Sequence, residues 1–292
     1  MDLLGPIPDA KLFAGQLLDP PWEGGQLYEC RQCHLGFRHP IRAEADFERL
    51  YAAASEKIWV SDGLRADQSR VVERVISKLS TGSVLDVGCY DGTLLQALAP
   101  RLRKHGIELS TLAADLARKR GVDIVASRIA DLDGLGLRFD AICAVDVIEH
   151  VANPGAFVDT LARLLAPGGW LFLSSGSLDS RAWRLAGGQY WYCGFPEHIS
   201  FISRPWAELM AARTGLALRD VQSFAYAELP PLRQAVARIR YGFKIARMAL
   251  QSRLAALIKV PQLGKPKRSL GQPGVFADHI LLSYCKPEQT QT

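Results

Sequence analysis

Between residues 82 and 175, short β-branched runs alternate with stretches whose apolar residues recur at steps of three and four. In order, "SVLDVGC" predicts a strand, "TLLQALAPRLRK" a helix, "HGIEL" a strand, "TLAADLARKRG" a helix, and "VDIVAS" and "RFDAICAVDV" strands. "PGAFVDTLARLLAPGG" then predicts a helix closed by Gly168 and Gly169, and "WLFLSS" the next strand. Strands separated by about 10–15 helical residues are βαβ units, whose crossover helices cover both faces of a parallel sheet. The pattern predicts an α/β, doubly wound, Rossmann-like fold. Upstream, residues 1 to 40 are rich in Pro and Gly with little periodicity, and helical spacing begins in "AEADFERLYAAASEKIW" and "DQSRVVERVISKLS". Downstream, residues 176 to 203 are aromatic and irregular; a helix "RPWAELMAARTG" and strands "LALRDVQSFAY" and "HILLSYCKP" close the pattern. Two final strands with no ordinary βαβ helix between them predict an antiparallel pair with an insert in its connection.

The first strand leads into the turn Gly88-Cys89-Tyr90-Asp91-Gly92, and a helix follows. In an open parallel sheet, ligands sit beyond the carboxyl ends of the strands. A dinucleotide turn carries three glycines so that the backbone can approach a pyrophosphate. Here Tyr90 stands at the middle position and Gly92 falls one residue short of the third, which suits a nucleoside without phosphates better. Glu108, at the tip of the second strand, is placed to accept from ribose hydroxyls. A nucleotide-dependent oxidoreductase on the same sheet is the alternative these features leave open, and a cofactor-binding scaffold without turnover is a second.

The segments "VLDVGCYDGTLL", "GIEL", "FDAICAVDVIEHVANPGAFVDTLARLLAPGGWLFLSS" and "PEHISFIS" resemble class I S-adenosylmethionine-dependent methyltransferases. The resemblance is to the branch of ubiquinone-pathway O-methyltransferases and sugar methyltransferases, and it covers about residues 65 to 225. It implies a seven-stranded sheet with the last strand antiparallel and S-adenosyl-L-methionine as cofactor. Asp86, Gly88 and Gly92 would shape the pocket for the methionine part, with Cys89, Tyr90 and Asp91 lining the turn. Glu108 would hold the ribose, Leu109 would flank the adenine, and Arg128 and Ile129 would meet its edge. Asp146 and Val147 would close the pocket floor. Two departures stand out: Tyr90 replaces a frequent Gly, and Arg128 stands where an acidic residue often accepts from the adenine amine, with Asp131 as its substitute.

Methyl transfer is a direct displacement that needs alignment and, for a hydroxyl acceptor, a proton acceptor. His150 in "DVIEHV" is the leading base, since imidazole takes a proton near neutral pH, with Glu149 beside it. Capping and packing of the following helix is the alternative role for both. His198, among Tyr190, Trp191, Tyr192, Phe195 and Phe201, is the second candidate, in a segment that would either cover an acceptor or pack as a core loop. Asp146, Glu149 and His150 offer metal-type ligands at loose spacing, and no metal is expected. Cys30 and Cys33 form half a tetrahedral zinc site with no earlier Cys to complete it.

The net charge of +5 is unevenly spread: residues 229 to 277 hold ten Lys or Arg and no Asp or Glu. There Leu232, Val236, Ile239, Phe243, Ala246, Leu250, Leu254 and Leu257 follow helical steps, with Arg233, Arg240, Lys244 and Arg247 as a second stripe beside them. Such a helix suits an anionic membrane surface or a phosphate-bearing substrate; nucleic acid fits less well, because aromatics do not interleave with the basic stripe. The other reading is an insert packed on the domain. No apolar run approaches the roughly 20 residues of a bilayer span, no secretory signal pattern opens the chain, and the scattered cysteines suit a reducing compartment. The expectations are an N-terminal extension (1–64), a cofactor-binding core (65–228), a basic helical insert (229–277) and a final strand and tail (278–292). The acceptor would be a small molecule or glycan, and the location cytoplasmic, with peripheral association at the inner membrane surface.

Overall fold

The computed structural model describes residues 1–13, 16–43, 45–47, 63–132, 134–226, 229–257 and 276–288. Most of the helix expected over "AEADFERLYAAASEKIW" lies outside them. The chain forms two compact units, one of Met1–Ser55, Gly176–Trp206 and Ser223–Ile280, the other of Glu56–Ser175, Ala207–Gln222 and Leu281–Thr292.

The N-terminal stretch is β structure: β1 (Asp2–Pro6), β2 (Ala10–Phe13), β3 (Gln16–Trp22), β4 (Gln26–Glu29) and β5 (Gly36–His39). β2 and β3 form a two-stranded ribbon, and β1, β4 and β5 pair antiparallel. Cys30 and Cys33 lie in the β4–β5 connection, where His34 N–H donates to Cys30 O (2.8 Å).

Next come α1 (Ala66–Lys78), β6 (Gly82–Val87), α2 (Thr93–Gln96), β7 (Leu102–Ile107), α3 (Thr111–Lys119), β8 (Asp123–Ala126), β9 (Phe139–Val145), α4 (Pro154–Leu164) and β10 (Leu165–Gly176). α5 (Arg181–Ala186), β11 (Ser200–Phe201), α6 (Arg204–Thr214), β12 (Ala217–Ala225), α7 (Pro231–Leu257) and β13 (Ala277–Cys285) follow. The seven-stranded sheet runs β12-β13-β10-β9-β6-β7-β8, with the last strand antiparallel. β10, β9, β6, β7 and β8 run parallel to one another. Val84, Leu85, Ala141, Ile142, Cys143, Ala144, Leu171, Phe172 and Leu173 are buried, so the central strands read as nearly continuous apolar runs, interrupted in β6 by Asp86. α4 opens with Asn153, whose side chain accepts from Ala156 N, and with Pro154 in the first turn.

Two boundaries depart from the sequence reading. "TLLQALAPRLRK" is not one helix: α2 stops at Gln96 and Leu102 already begins β7. Pro100 lacks an amide hydrogen and holds the residue before it out of helical geometry, so the apolar spacing beyond it serves a strand. The helix over "PGAFVDTLARLLAPGG" ends at Leu164 rather than at Gly168, and β10 starts there.

In the other unit, β11 pairs with β5, making the sheet β1-β4-β5-β11. Its core gathers Leu27, Leu178, Trp183, Tyr190, Trp191, Tyr192, Phe201 and Ile245. Trp183 stacks on Tyr190 (5.1 Å between centroids) and meets Phe201 edge-on (5.2 Å). The aromatic residues of 176–203 are thus mostly interior packing; Phe195 alone of the five noted around His198 is exposed. Arg38 is buried among them and donates to the carbonyls of Cys193 (2.6 Å), Phe195 (2.8 Å), Gly24 (2.9 Å) and His198 (3.1 Å). Asp278 accepts from Tyr190 OH (2.6 Å) and Trp191 Nε1 (3.0 Å). α7 turns Tyr241 and Ile245 inward, Tyr241 meeting Phe276 edge-on at 6.3 Å. No helix among the described residues is long and apolar enough to cross a membrane.

Candidate active site

From β6 the chain steps outward to β7 and β8, then returns to place β9 on the other side of β6. That reversal is the switch point at which helices leave in opposite directions and a crevice opens at the strand ends. The turn after β6 and the stretch after β9 both lie there, with Val87 beside Ala144 in register.

The turn is held in a conformation that demands glycine. Gly88 and Gly92 have φ of 72° and 78°, and a Cβ would meet Val147 Cγ2 at 3.0 Å or Val122 Cγ2 at 2.9 Å. Tyr90 also has positive φ, 49°. The Gly-to-Tyr departure therefore leaves the turn in a glycine-type conformation, at a backbone cost of about 1–2 kcal/mol. Gly88 and Cys89 N–H donate to Ile107 O (2.9 and 3.1 Å). Asp91 Oδ1 accepts from Thr93 N and Oγ1, and its other oxygen pairs with Arg120 at 2.7 Å.

Glu108 follows β7 directly. Its Oε2 accepts from Tyr90 N–H and its Oε1 from Ser110 N–H, both at 2.8 Å. Burial raises its pKa, and these backbone N–H groups pull it back. Leu109 beside it is half exposed. Asp86, buried in β6, is pushed up to about 8 by desolvation, with Arg65 opposing and Glu108 reinforcing the shift. Arg128 and Ile129 follow β8, and Asp131 Oδ2 accepts from Arg128 N–H (2.9 Å).

After β9, Asp146 has φ 52°, a strained value for a non-glycine residue. Its Oδ2 accepts from Arg65 Nη2 (2.9 Å), and Arg65 also grips Asp67 through Nη2 (2.9 Å) and Nε (3.2 Å). Burial and the negative Asp67 hold the Asp146 pKa well above the carboxylate range. Burial raises Asp67 too, but the Arg65 charge together with hydrogen bonds from Arg65, Asp146 and the Gln68 N–H leaves Asp67 lowered. Val147 leads into a single 3₁₀ turn, Ile148–His150. Glu149 is fully buried and accepts from Ser175 Oγ (2.9 Å); His150 is half-buried, its N–H donating to Val147 O.

Of the expected site residues, the structure brings Asp86, Gly88, Cys89, Tyr90, Asp91, Gly92, Asp146, Val147, Glu149 and His150 to the two strand ends of this switch point, and Glu108 to the adjoining end of β7. Leu109, Arg128 and Ile129 stand at the neighbouring ends. His198 belongs to the other unit, where its Nδ1 lies 3.0 Å from Tyr192 O. Sequence reasoning missed Arg65 and Asp67. Arg65 lies 81 residues from the aspartate it pairs with, and no local pattern marks a contact of that reach.

The arrangement suits a nucleoside ligand. The Glu108 carboxylate can accept from hydroxyl donors beyond its two backbone bonds, and the glycine turn lets backbone approach closely.

Comparison with known proteins agrees. Residues 64–221 match the family described as a methyltransferase domain. The chain is 31% identical over 171 residues to a ubiquinone biosynthesis O-methyltransferase of Leptothrix cholodnii, a match covering 53% of this chain and 72% of that protein. It is 39% identical over 165 residues to the protein of the same name from Xylella fastidiosa, covering 51% and 66%. A chain of the complex between the Haloferax volcanii Trm112 methyltransferase activator and a methyltransferase shares the fold with a TM-score of 0.51, at 14% identity and covering 85% and 99%. The chain belongs to the class I S-adenosylmethionine-dependent methyltransferases.

Proposed function

We propose that the enzyme methylates a hydroxyl oxygen of a small-molecule or glycan acceptor, including acceptors carried on a lipid. The observation that carries the choice of oxygen is the name shared by its relatives of 31–39% identity, each a ubiquinone biosynthesis O-methyltransferase. The oxidoreductase alternative falls with the family, and the inactive scaffold with the enzyme class.

In this reading Glu108 accepts from the ribose hydroxyls, the Gly88–Gly92 turn cradles the methionine part, and Leu109, Arg128 and Ile129 border the adenine. Bound S-adenosylmethionine supplies an electrophilic methyl carbon whose bond to sulfur breaks with the electron pair staying on sulfur. His150, on its 3₁₀ turn after β9, would take the proton of the acceptor hydroxyl. Buried Glu149, pinned by Ser175, holds the turn that presents His150. His198 is the second residue proposed for the proton.

A screen of hydroxylated sugars and phenols, read by S-adenosylhomocysteine release and product mass and connectivity, tests the reading. The expected product is a methyl ether. Transfer confined to nitrogen or carbon acceptors would overturn it.

A further inference from the structure

α7 carries its apolar stripe on the wrong side for an insert packed on the protein. Leu232 (78% exposed), Val236 (50%), Ile239 (60%), Phe243 (74%) and Leu250 (58%) all face outward. The side turned inward is a different one: Gln234, Ala237 and Tyr241 are partly buried and Ile245 is buried. At 3.6 residues per turn these two sets lie on opposite sides of the helix. Arg233, Arg240, Lys244 and Arg247 run along one flank of the outward stripe, while the other flank is Ala235, Gly242, Ala246 and, towards the end of the helix, Arg253. Across its 27 residues the helix has six Lys or Arg and no Asp or Glu.

From this geometry we infer that α7 is a membrane-docking helix, which lies flat on an anionic bilayer with its outward stripe among the acyl chains and its basic flank on the lipid headgroups. Exposed apolar side chains in an unbroken row mark an interaction site rather than an ordinary surface. Charge selects the occupant. A second copy would set one positive column against another, with no acid on either helix to offset it. An anionic leaflet satisfies both halves of the helix at once, since apolar burial and headgroup attraction act together. The helix lies on the surface and does not span it.

The test is co-sedimentation of the full chain with vesicles of phosphatidylcholine containing about one-third phosphatidylglycerol, against pure phosphatidylcholine. Wild-type protein should pellet with the anionic vesicles at low salt and leave them as salt screens the charges. Phe243→Asp/Ile239→Asp should weaken binding by at least about tenfold, and Arg240→Ala/Arg247→Ala should weaken it and flatten its salt dependence. Both pairs are exposed, and circular dichroism would verify the fold; Phe243→Ser/Leu232→Ser repeats the test with neutral residues. Failure of the wild type to bind, or unchanged binding by the apolar variants, would overturn the proposal. So would lipid-free dimerisation abolished by the same variants, or an acidic protein partner that binds α7 while anionic vesicles do not. None of these readouts involves methyl transfer, so they stand apart from the proposed reaction.

Discussion

Tyr90 and Glu108, eighteen residues apart, are joined by a 2.8 Å hydrogen bond from the Tyr90 amide to Glu108 Oε2. One carboxylate thus fixes the first turn and faces the proposed ribose. Glu108→Ala should weaken S-adenosylhomocysteine binding by about 1.5–3 kcal/mol, the cost of losing a charged hydrogen-bond partner. Isothermal calorimetry measures this; undiminished affinity would remove Glu108 from the cofactor's contacts.

Tyr90 sits at φ 49°, where only glycine is at ease. With the side chain removed, Tyr90→Gly should therefore be more stable than Tyr90→Ala, by about 1 kcal/mol. Urea unfolding of the two variants compares them directly. The reverse order would mean that the turn is not strained at this residue.

Asp86 provides a pH dependence. Its folded-state pKa is pushed up to about 8, whereas an unfolded aspartate titrates near 3.9. Between those values the folded state binds the extra proton, so stability falls as pH rises through the window, by on the order of 1 kcal/mol per pH unit. Below the window both states are protonated and the penalty is absent. Asp86→Asn should flatten the slope of stability against pH between about 4 and 8. An unaltered slope would assign the dependence to other groups.

For His150, the expected signature is kinetic. His150→Ala should leave cofactor affinity nearly intact and slow transfer by roughly 10²–10⁴, the usual contribution of a positioned general base. A variant that turns over at the wild-type rate would pass the role to His198.

Arg38 makes a structural prediction. Its guanidinium is buried and bonded to four carbonyls. Arg38→Met would leave those buried acceptors without their donor, and should destabilise the protein by about 3–5 kcal/mol. A loss under 1 kcal/mol on thermal unfolding would show that water replaces the guanidinium there.

The parallel sheet and the first turn were legible because their signals are local: apolar runs such as "VLDV" are bounded by glycines whose positive φ follows from the turn. The β1, β4 and β5 strands escaped notice because they are short, glycine- and proline-bounded, and depend on β11 far downstream for their last partner. In α7 the spacing showed which residues share a face but could not show which face is covered, since periodicity carries no outward direction. The Arg65–Asp146 pair is long-range, and ion pairs of that kind leave no periodic trace.

The Arg38 contacts also have a consequence in time. Its acceptors at Cys193, Phe195 and His198 lie 155 to 160 residues further along the chain. At about 5–20 residues per second of synthesis, the first sheet waits roughly 8–30 s on the ribosome before the segment that shelters its charge has been made. During that interval β5 is an open edge, with Arg38 as the charged residue that guards it against pairing with a stranger. The same guanidinium that later anchors the interior is then a gatekeeper of the nascent chain.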